Sequence, residues 1–315
     1  MSAQICRALA DLCPALMRGG WSASDLYQVS LVSRLVTGGA HNEQLIHADL
    51  ALNDALWRLL SLVDPFRIDE PRRYRYATIF SKVRKKIAGE YALPVDEADE
   101  LAKPIASFLC DYSFHLKRRS RHPIDKATRA ELLDLVDPAR CWYCGAEFGA
   151  SSVDAFLTAK PFVSELPRYL DFVTQRGRIP RDFQIEVDHV VPVVAGGRSD
   201  IDNLRLACGW CNASKRDHQS LYDAQSRPSI YVHPRAGEWL LPAKFWVIRV
   251  IGTRRRCEWP NGCQVTPESG RLFVAPQTID GSMTPGNLGC YCREHDPIGD
   301  VRWVPNDAFS PARAG

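Results

Sequence analysis

Four of the chain's eleven cysteines come as two pairs with the same gap, Cys141-Trp-Tyr-Cys144 and Cys208-Gly-Trp-Cys211. A two-residue gap lets one tight turn present two thiolates to one ion. Two such turns complete the tetrahedral sulfur set that structural zinc prefers. A redox role would need a single CxxC at a helix start in a thioredoxin-like βαβ unit, and no such pattern surrounds either pair. Between the pairs lie Ile185-Glu186-Val187-Asp188-His189-Val190-Val191-Pro192, then Gly196-Gly197 and Asn203-Leu204. The second pair runs on into Asn212-Ala213-Ser214-Lys215. A histidine with its ordinary pKa of about 6.5 offers a neutral imidazole as a general base near pH 7. The oxygens of Asp188 and Asn212 suit a hard cation, Mg²⁺ or Mn²⁺, which can act as a Lewis acid on a phosphate. Together these residue types could hydrolyse a phosphodiester.

Such chemistry constrains the elements that carry it. Neighbours on a regular strand point to opposite faces, so Asp188 and His189 can serve one phosphate only at a strand's end. Pro192 and Gly196-Gly197 mark that end, since both residue types break strand pairing. Asn212 and Lys215, three apart on an expected helix, share a face. Glu186 lies on the same strand face as Asp188, either supporting it or pairing with a basic side chain. His218 is a further ligand candidate, with helix surface as the alternative. Arg205 and Arg216 are candidate phosphate contacts, with surface charge as the alternative. The aromatic residues inside the cysteine pairs are expected to pack the knuckle.

The ordered set CxxC, ExDHxxP, GG, NLRLAC, CxxCNxxK resembles the HNH endonucleases of the ββα-metal (His-Me finger) superfamily. His189 to Asn203 spans 14 positions and Asn203 to Asn212 spans nine. The resemblance covers about residues 139–218. It implies a DNA endonuclease that leaves 5′-phosphate and 3′-hydroxyl ends. His189 would be the base, Asn203 would hold the loop that carries it, and Lys215 would reach the scissile or adjacent phosphate. Asp188 and Asn212 would hold the catalytic Mg²⁺ or Mn²⁺, and Cys141, Cys144, Cys208 and Cys211 a structural zinc. One departure stands out: Cys144 to Asp188 is 44 positions, long for the family. The extra length, Val153 to Val173, reads as an inserted helical segment.

A second metal-type set follows further along. Asn203 precedes cysteines by five and eight positions, and Asn287 precedes Cys292 and His295 by the same offsets. Gly197 and Gly281 each stand six before their asparagine, and Cys257 and Cys263 take the place of the first knuckle with a five-residue gap. This predicts a second structural zinc on Cys257, Cys263, Cys292 and His295, in a degenerate copy of the same frame. Cys290 falls at an apolar position and reads as core, and it is the alternative ligand to His295. The copy has no Asp-His pair, so it should be catalytically dead.

The expected architecture is α+β: a helical N-terminal domain (1–130), a central ββα-metal nuclease domain with zinc knuckles (131–230), and a small C-terminal zinc-binding domain (231–315). Helical spacing of apolar residues predicts helices over Glu43–Val63 and Asp96–Leu116. Cys6, Cys13 and Cys110 read as core. The last dozen residues are expected to fray. With 45% hydrophobic and 24% charged residues the composition is that of a globular chain, and the net charge of +3 is too mild to identify a partner. Locally, residues 72–86 hold seven basic residues and no acidic one. Arg72, Arg73, Arg75, Lys82, Arg84, Lys85 and Lys86 are therefore candidate DNA contacts, because non-specific binding is largely phosphate neutralisation. A second basic cluster is Lys117 to Arg121. No secretion signal or membrane-length apolar run is evident, which points to a cytoplasmic chain. The leading reading is a metal-dependent DNA endonuclease. Restriction, anti-phage defence, mobile elements and phage packaging are settings between which the sequence does not choose, and a further protein subunit can take part. The alternatives are a non-catalytic, zinc-stabilised nucleic-acid or protein-binding module, or the same catalysis on RNA.

Overall fold

The computed structural model describes residues 2–18, 48–63, 76–116, 123–158, 160–193, 197–219 and 229–308. By its contacts the chain divides into two units, residues 1–122 with 189–203, and residues 123–188 with 204–315. This division does not follow the three expected segments. The second cysteine-rich region lies in the same unit as the first.

The helical unit contains α1 (Ser2–Arg18), α2 (Ala48–Ser61), α3 (Tyr76–Glu90) and α4 (Val95–Leu116). Ile79, Val83 and Ile87 recur every fourth residue and form the buried stripe of α3. Asp96 and Glu97 stand in the first turn of α4, where the helix dipole favours negative charge. Its buried face presents Ala98, Ala102, Ile105 and Leu109. The helix expected over Asp96–Leu116 is thus present. The one expected over Glu43–Val63 is seen as Ala48–Ser61, with residues 43–47 outside the described residues. Cys6 and Cys13 are buried, Cys110 half-buried. Val191, from the separate 189–203 segment, joins the same apolar core as Leu9, Leu59 and Ile105. The last residues, 309–315, lie outside the described residues.

The second unit opens with α5 (Lys126–Asp134), capped by Asp125, whose carboxylate accepts from the Thr128 N–H at 2.8 Å. α6 (Ala150–Thr158) follows, then β1 (Tyr169–Asp171). The inserted segment 153–173 is therefore not helical throughout. The chain is irregular from residue 160 to 168, where Pro161 and Pro167 cannot continue a helix, and it ends in a strand and turn. Next come β2 (Ile185–His189), β3 (Leu204–Cys208) and α7 (Gly209–Lys215). They are followed by β4 (Ser229–His233), β5 (Gly237–Leu241), α8 (Lys244–Arg254), β6 (Phe273–Pro276), β7 (Leu288–Tyr291), α9 (Gly299–Arg302) and β8 (Trp303–Pro305).

Among the described residues the strands pair in twos: β1 with β8, β2 with β3, β4 with β5, and β6 with β7. Short two-stranded ladders are marginal alone and need a packed face or another cross-link. One face is supplied by Leu170, Phe172, Val173, Leu241, Ala275, Tyr291, Ile298 and Val304, which form a shared apolar core. The β4–β5 turn is held by the buried His233. Its Nδ1 accepts from the Arg235 and Ala236 N–H groups at 3.1 and 3.0 Å, so its Nε2–H donates to the Val301 carbonyl at 2.7 Å.

Candidate active site

The two cysteine pairs meet. In the first knuckle the Cys141 N–H donates to the Ala146 carbonyl at 2.9 Å, and the Gly145 N–H returns to the Cys141 carbonyl at 2.8 Å. Gly145 has φ +68, and a Cβ there would come within 2.1 Å of Pro267 Cβ, so only glycine fits. The second pair opens α7. The sulfurs of Cys141, Cys144, Cys208 and Cys211 all lie within 4.8 Å of one another, with Cys144 and Cys208 4.0 Å apart. Tetrahedral zinc with Zn–S of about 2.3 Å would set its sulfurs about 3.8 Å apart. Burial pushes the Cys141 and Cys211 thiols well up, while hydrogen bonds from Cys141, Cys208 and Cys211 hold Cys144 well below the ordinary thiol range. Arg176 stands beside this group. Burial works against its charge, but the cysteines Cys208, Cys144, Cys211 and Cys141 more than restore it. A tetrathiolate metal centre carries net negative charge, and Arg176 is placed to balance it. Nothing in the spacing of the sequence announced this residue.

The loop after β2 is tied down by one side chain. Asn203 Oδ1 accepts from the Val191 N–H at 2.8 Å, and its Nδ2 donates to the carbonyls of Val191 and Arg198 at 3.0 and 2.7 Å. The Val190 N–H adds a bond to the Asn203 carbonyl at 2.9 Å. Gly197 makes this closure possible, since a Cβ there would fall 1.7 Å from the Val191 oxygen. His189 opens the loop. Its Nε2 meets the Ser199 hydroxyl at 3.0 Å, and the residue is 7% exposed. Ser199 was not among the expected residues; it is brought in by the folding back of the loop. Val191, 6% exposed, anchors the loop in the helical core.

Within the second unit, Asp188 and Lys215 form a buried ion pair of 2.7 Å, with side chains 3% and 1% exposed. Trp142 Nε1–H donates to the other Asp188 oxygen at 3.2 Å. Burial raises the Asp188 carboxyl above its ordinary value, opposed by Lys215 and by hydrogen bonds from Lys215, Tyr143 and Trp142. Burial likewise lowers the Lys215 ammonium, opposed chiefly by Asp188. Lys215, expected to reach the scissile or adjacent phosphate, is thus buried against this carboxylate. Asn212 does not share its burial. It donates through Nδ2 to Glu186 Oε2 at 2.7 Å, which leaves Oδ1 as the end able to accept or ligate. Glu186 also pairs with Arg181 at 2.6 Å, so it is both a support and a salt-bridge partner. The aromatic residues of the knuckles are buried as expected, and Trp142 is a donor besides. Asp188, Asn212 and the acidic Glu186 are the oxygen groups able to attract a divalent cation. His218 packs its ring 5.0 Å from Phe245 and is not part of either cysteine group.

The basic candidates scatter. Lys82, Arg84 and Lys85 are exposed on α3, Arg84 is paired with Asp99, and Lys86 with Glu90 at 3.7 Å. Arg72, Arg73 and Arg75 lie outside the described residues, as does the cluster 117–121. Arg205 donates to the Leu204 carbonyl at 2.8 Å. Arg216, at φ +52, ends α7 and is exposed. Cys257, Cys263, Cys292 and His295 form a second group whose ligand atoms all lie within 4.8 Å.

Residues 178–218 match the family model for HNH endonucleases. This stretch is an HNH domain. It contains Asp188, His189, Asn203, Asn212 and Lys215, together with the second cysteine pair. HNH domains are nuclease domains that work with divalent metals on nucleic acid. No curated protein and no solved structure matches the chain. Among the described residues no helix is long and apolar enough to cross a membrane.

Proposed function

We propose that the chain is a metal-dependent endonuclease that hydrolyses DNA phosphodiester bonds, leaving 5′-phosphate and 3′-hydroxyl ends. The observation that carries this reading is the HNH match over 178–218, in which the asparagine-clamped loop begins at His189. His189 takes the proton from the attacking water, and Ser199 orients its ring. Asn203 fixes the loop and acts through His189. Asp188, on exchanging its Lys215 or Trp142 bond for the ion, and Asn212 Oδ1 would hold one Mg²⁺ or Mn²⁺, which when bound supplies Lewis acidity to the phosphate and its leaving oxygen. Lys215 positions Asp188 by its ion pair and balances its charge. Zinc on Cys141, Cys144, Cys208 and Cys211 fixes the strand-to-helix corner from which Asn212 and Lys215 project. The exposed Lys82, Lys85 and Arg216 suit phosphate contacts.

A second reading has one observation in its favour. Both oxygens of Asp188 are engaged, as a non-catalytic zinc-stabilised binding module would allow. Incubation with supercoiled plasmid plus Mg²⁺ or Mn²⁺ separates the two. Cleavage by the native chain, absent in His189→Ala and with EDTA, supports the nuclease. DNA binding without cleavage in any divalent metal supports the module. A parallel RNA substrate decides between the nucleic acids.

A further inference from the structure

Two stretches of this chain share the hydrogen bonds of their loops and knuckles, although where the first runs into α7 (Gly209–Lys215) the second has turns and then only the short α9 (Gly299–Arg302). In the second, Asn287 Oδ1 accepts from the Thr278 N–H at 3.0 Å, and Nδ2 donates to the Thr278 and Ser282 carbonyls at 2.9 and 3.0 Å. These are the three bonds of Asn203, and the last acceptor is again five residues back. The Gln277 N–H donates to the Asn287 carbonyl at 2.7 Å, as Val190 does to Asn203. A Cβ at Gly281 would meet Asn287 Nδ2 at 2.4 Å, as one at Gly197 would meet Asn203 Nδ2 at 2.8 Å. The knuckles correspond too. The Cys257 N–H reaches the Val265 carbonyl at 2.8 Å, and the Glu258 N–H reaches the Cys290 carbonyl at 2.7 Å. Cys141 to Ala146 and Trp142 to Leu206, both at 2.9 Å, are their counterparts. Cys290 is buried and sits at the Leu206 position, which leaves the ligand role to His295.

This superposition of bonds puts Ala275 and Pro276 where the first stretch has Asp188 and His189. Ala275 faces the apolar core with Leu170 and Val304. Asp296, next after the fourth ligand like Asn212, is held by Arg302, whose Nε and Nη2 donate to its two oxygens at 2.5 and 2.8 Å. Arg302 Nη2 also donates to the Val274 carbonyl at 3.0 Å, and the guanidinium lies 5.1 Å over the Phe273 ring. Phe273 is the counterpart of Glu186. A tethered, fully buried guanidinium therefore occupies the face where the first stretch keeps its oxygen groups. Arg302 Nη1 also donates to Asp171 Oδ1 at 2.9 Å, so the guanidinium is shared between two carboxylates. A divalent cation there would have to displace Arg302 from Asp296, and would find no histidine base.

The sulfur end shows the opposite. The Cys263 and Cys292 sulfurs are 3.9 Å apart, and His295 Nδ1 stands 3.6 and 3.2 Å from the Cys257 and Cys292 sulfurs. A tetrahedral Cys₃His zinc would set S–S at about 3.8 Å and S–N at about 3.5 Å. Trp259 stacks on the His295 ring at 4.8 Å with an interplanar angle of 4°, which fixes its orientation.

We propose that residues 257–302 are a reduced second copy of the frame, its two strands, clamped loop and ligand group without the helix, that holds its own structural zinc through Cys257, Cys263, Cys292 and His295, and whose catalytic end is closed by Arg302. The zinc assignment goes beyond the nuclease reading and does not depend on it; the closed catalytic end rests on that reading. The test is metal stoichiometry on the full chain purified without added metal. Elemental analysis should give two zinc ions per chain, and a mercurial thiol reagent with a zinc-chelating dye should release two. One zinc per native chain by both methods overturns the second site without any need for a variant. His295→Ala should keep one zinc and near-native helix content; retention of two zincs would exclude His295 as a ligand and overturn the assigned set. Mg²⁺-dependent cleavage that persists in His189→Ala and disappears on further change of Asp296 would overturn the closed catalytic end.

Discussion

The loop at His189–Asn203 and the loop at Pro276–Asn287 are clamped by the same three asparagine bonds, yet only one begins with a histidine. The frame is thus separable from the chemistry it can carry. What the two share is an asparagine, a glycine six residues earlier and a group of four metal-type ligands. Two residues at the end of the first strand, and one after the last ligand, decide whether the shape presents a base and oxygen donors or an apolar face and a guanidinium. The first frame also differs in its anchor. Its loop is tied by Val191 into the helical core, whereas the counterpart of Val191 in the second loop, Thr278, is exposed.

Breaking the metal groups should have the largest effect. Cys208→Ser removes a ligand from the proposed first zinc site; structural zinc in such sites is worth about 10–16 kcal/mol, comparable to or above a domain's whole stability. The expected outcome is loss of one zinc and of the cooperative thermal transition of the second unit, read by calorimetry. A normal transition would remove the first frame's dependence on metal.

Next in size is the buried ion pair. Lys215→Met leaves the Asp188 carboxylate without its cation and should cost about 3–5 kcal/mol at pH 7. The sign with pH follows from burial, which already raises the Asp188 carboxyl. Losing Lys215 raises it further, so stability is retained below the ordinary carboxylate value and lost as pH climbs through the raised one. Urea denaturation should therefore show the variant closer to wild type at pH 5 than at pH 7. A uniform deficit across that range would contradict the pairing.

The asparagines sharpen the comparison directly. Asn203→Ala and Asn287→Ala each remove three bonds, worth about 1 kcal/mol apiece. The stability losses should be similar, near 3 kcal/mol. Cleavage should fall steeply only in Asn203→Ala, with kcat affected more than KM and zinc content unchanged in both. Equal losses of activity would mean that the second loop also serves the reaction. Smallest is Val191→Ala, about 2 kcal/mol for the buried methyl groups and their cavity. It should lower kcat although Val191 touches no substrate group, and an unchanged kcat would detach the helical core from the positioning of His189.

Much of this was legible in the sequence because it rests on short intervals. The two knuckles, the strand-end pair Asp188-His189, and the offsets linking Asn203 with Asn287 are all local spacings, and local geometry preserves them. The helix over 95–116 was legible for the same reason. What stayed hidden depends on contacts between distant residues. Lys215 reads as a phosphate contact until β2 brings Asp188 to it. Arg176 and Arg302 are single arginines among many until the thiolates and Asp296 surround them. The strand at 169–171 is fixed by its pairing with 303–305, which no local pattern announces.

The central claim is that His189 is the base of an HNH nuclease. Its most direct test is supercoiled plasmid with Mg²⁺ or Mn²⁺, comparing the native chain with His189→Ala at matched zinc content and DNA affinity. A positioned general base contributes about 10²–10⁴-fold, so cleavage should drop at least a hundredfold while both controls hold. Equal cleavage by the two proteins, or none by the native chain in either metal, would contradict the account.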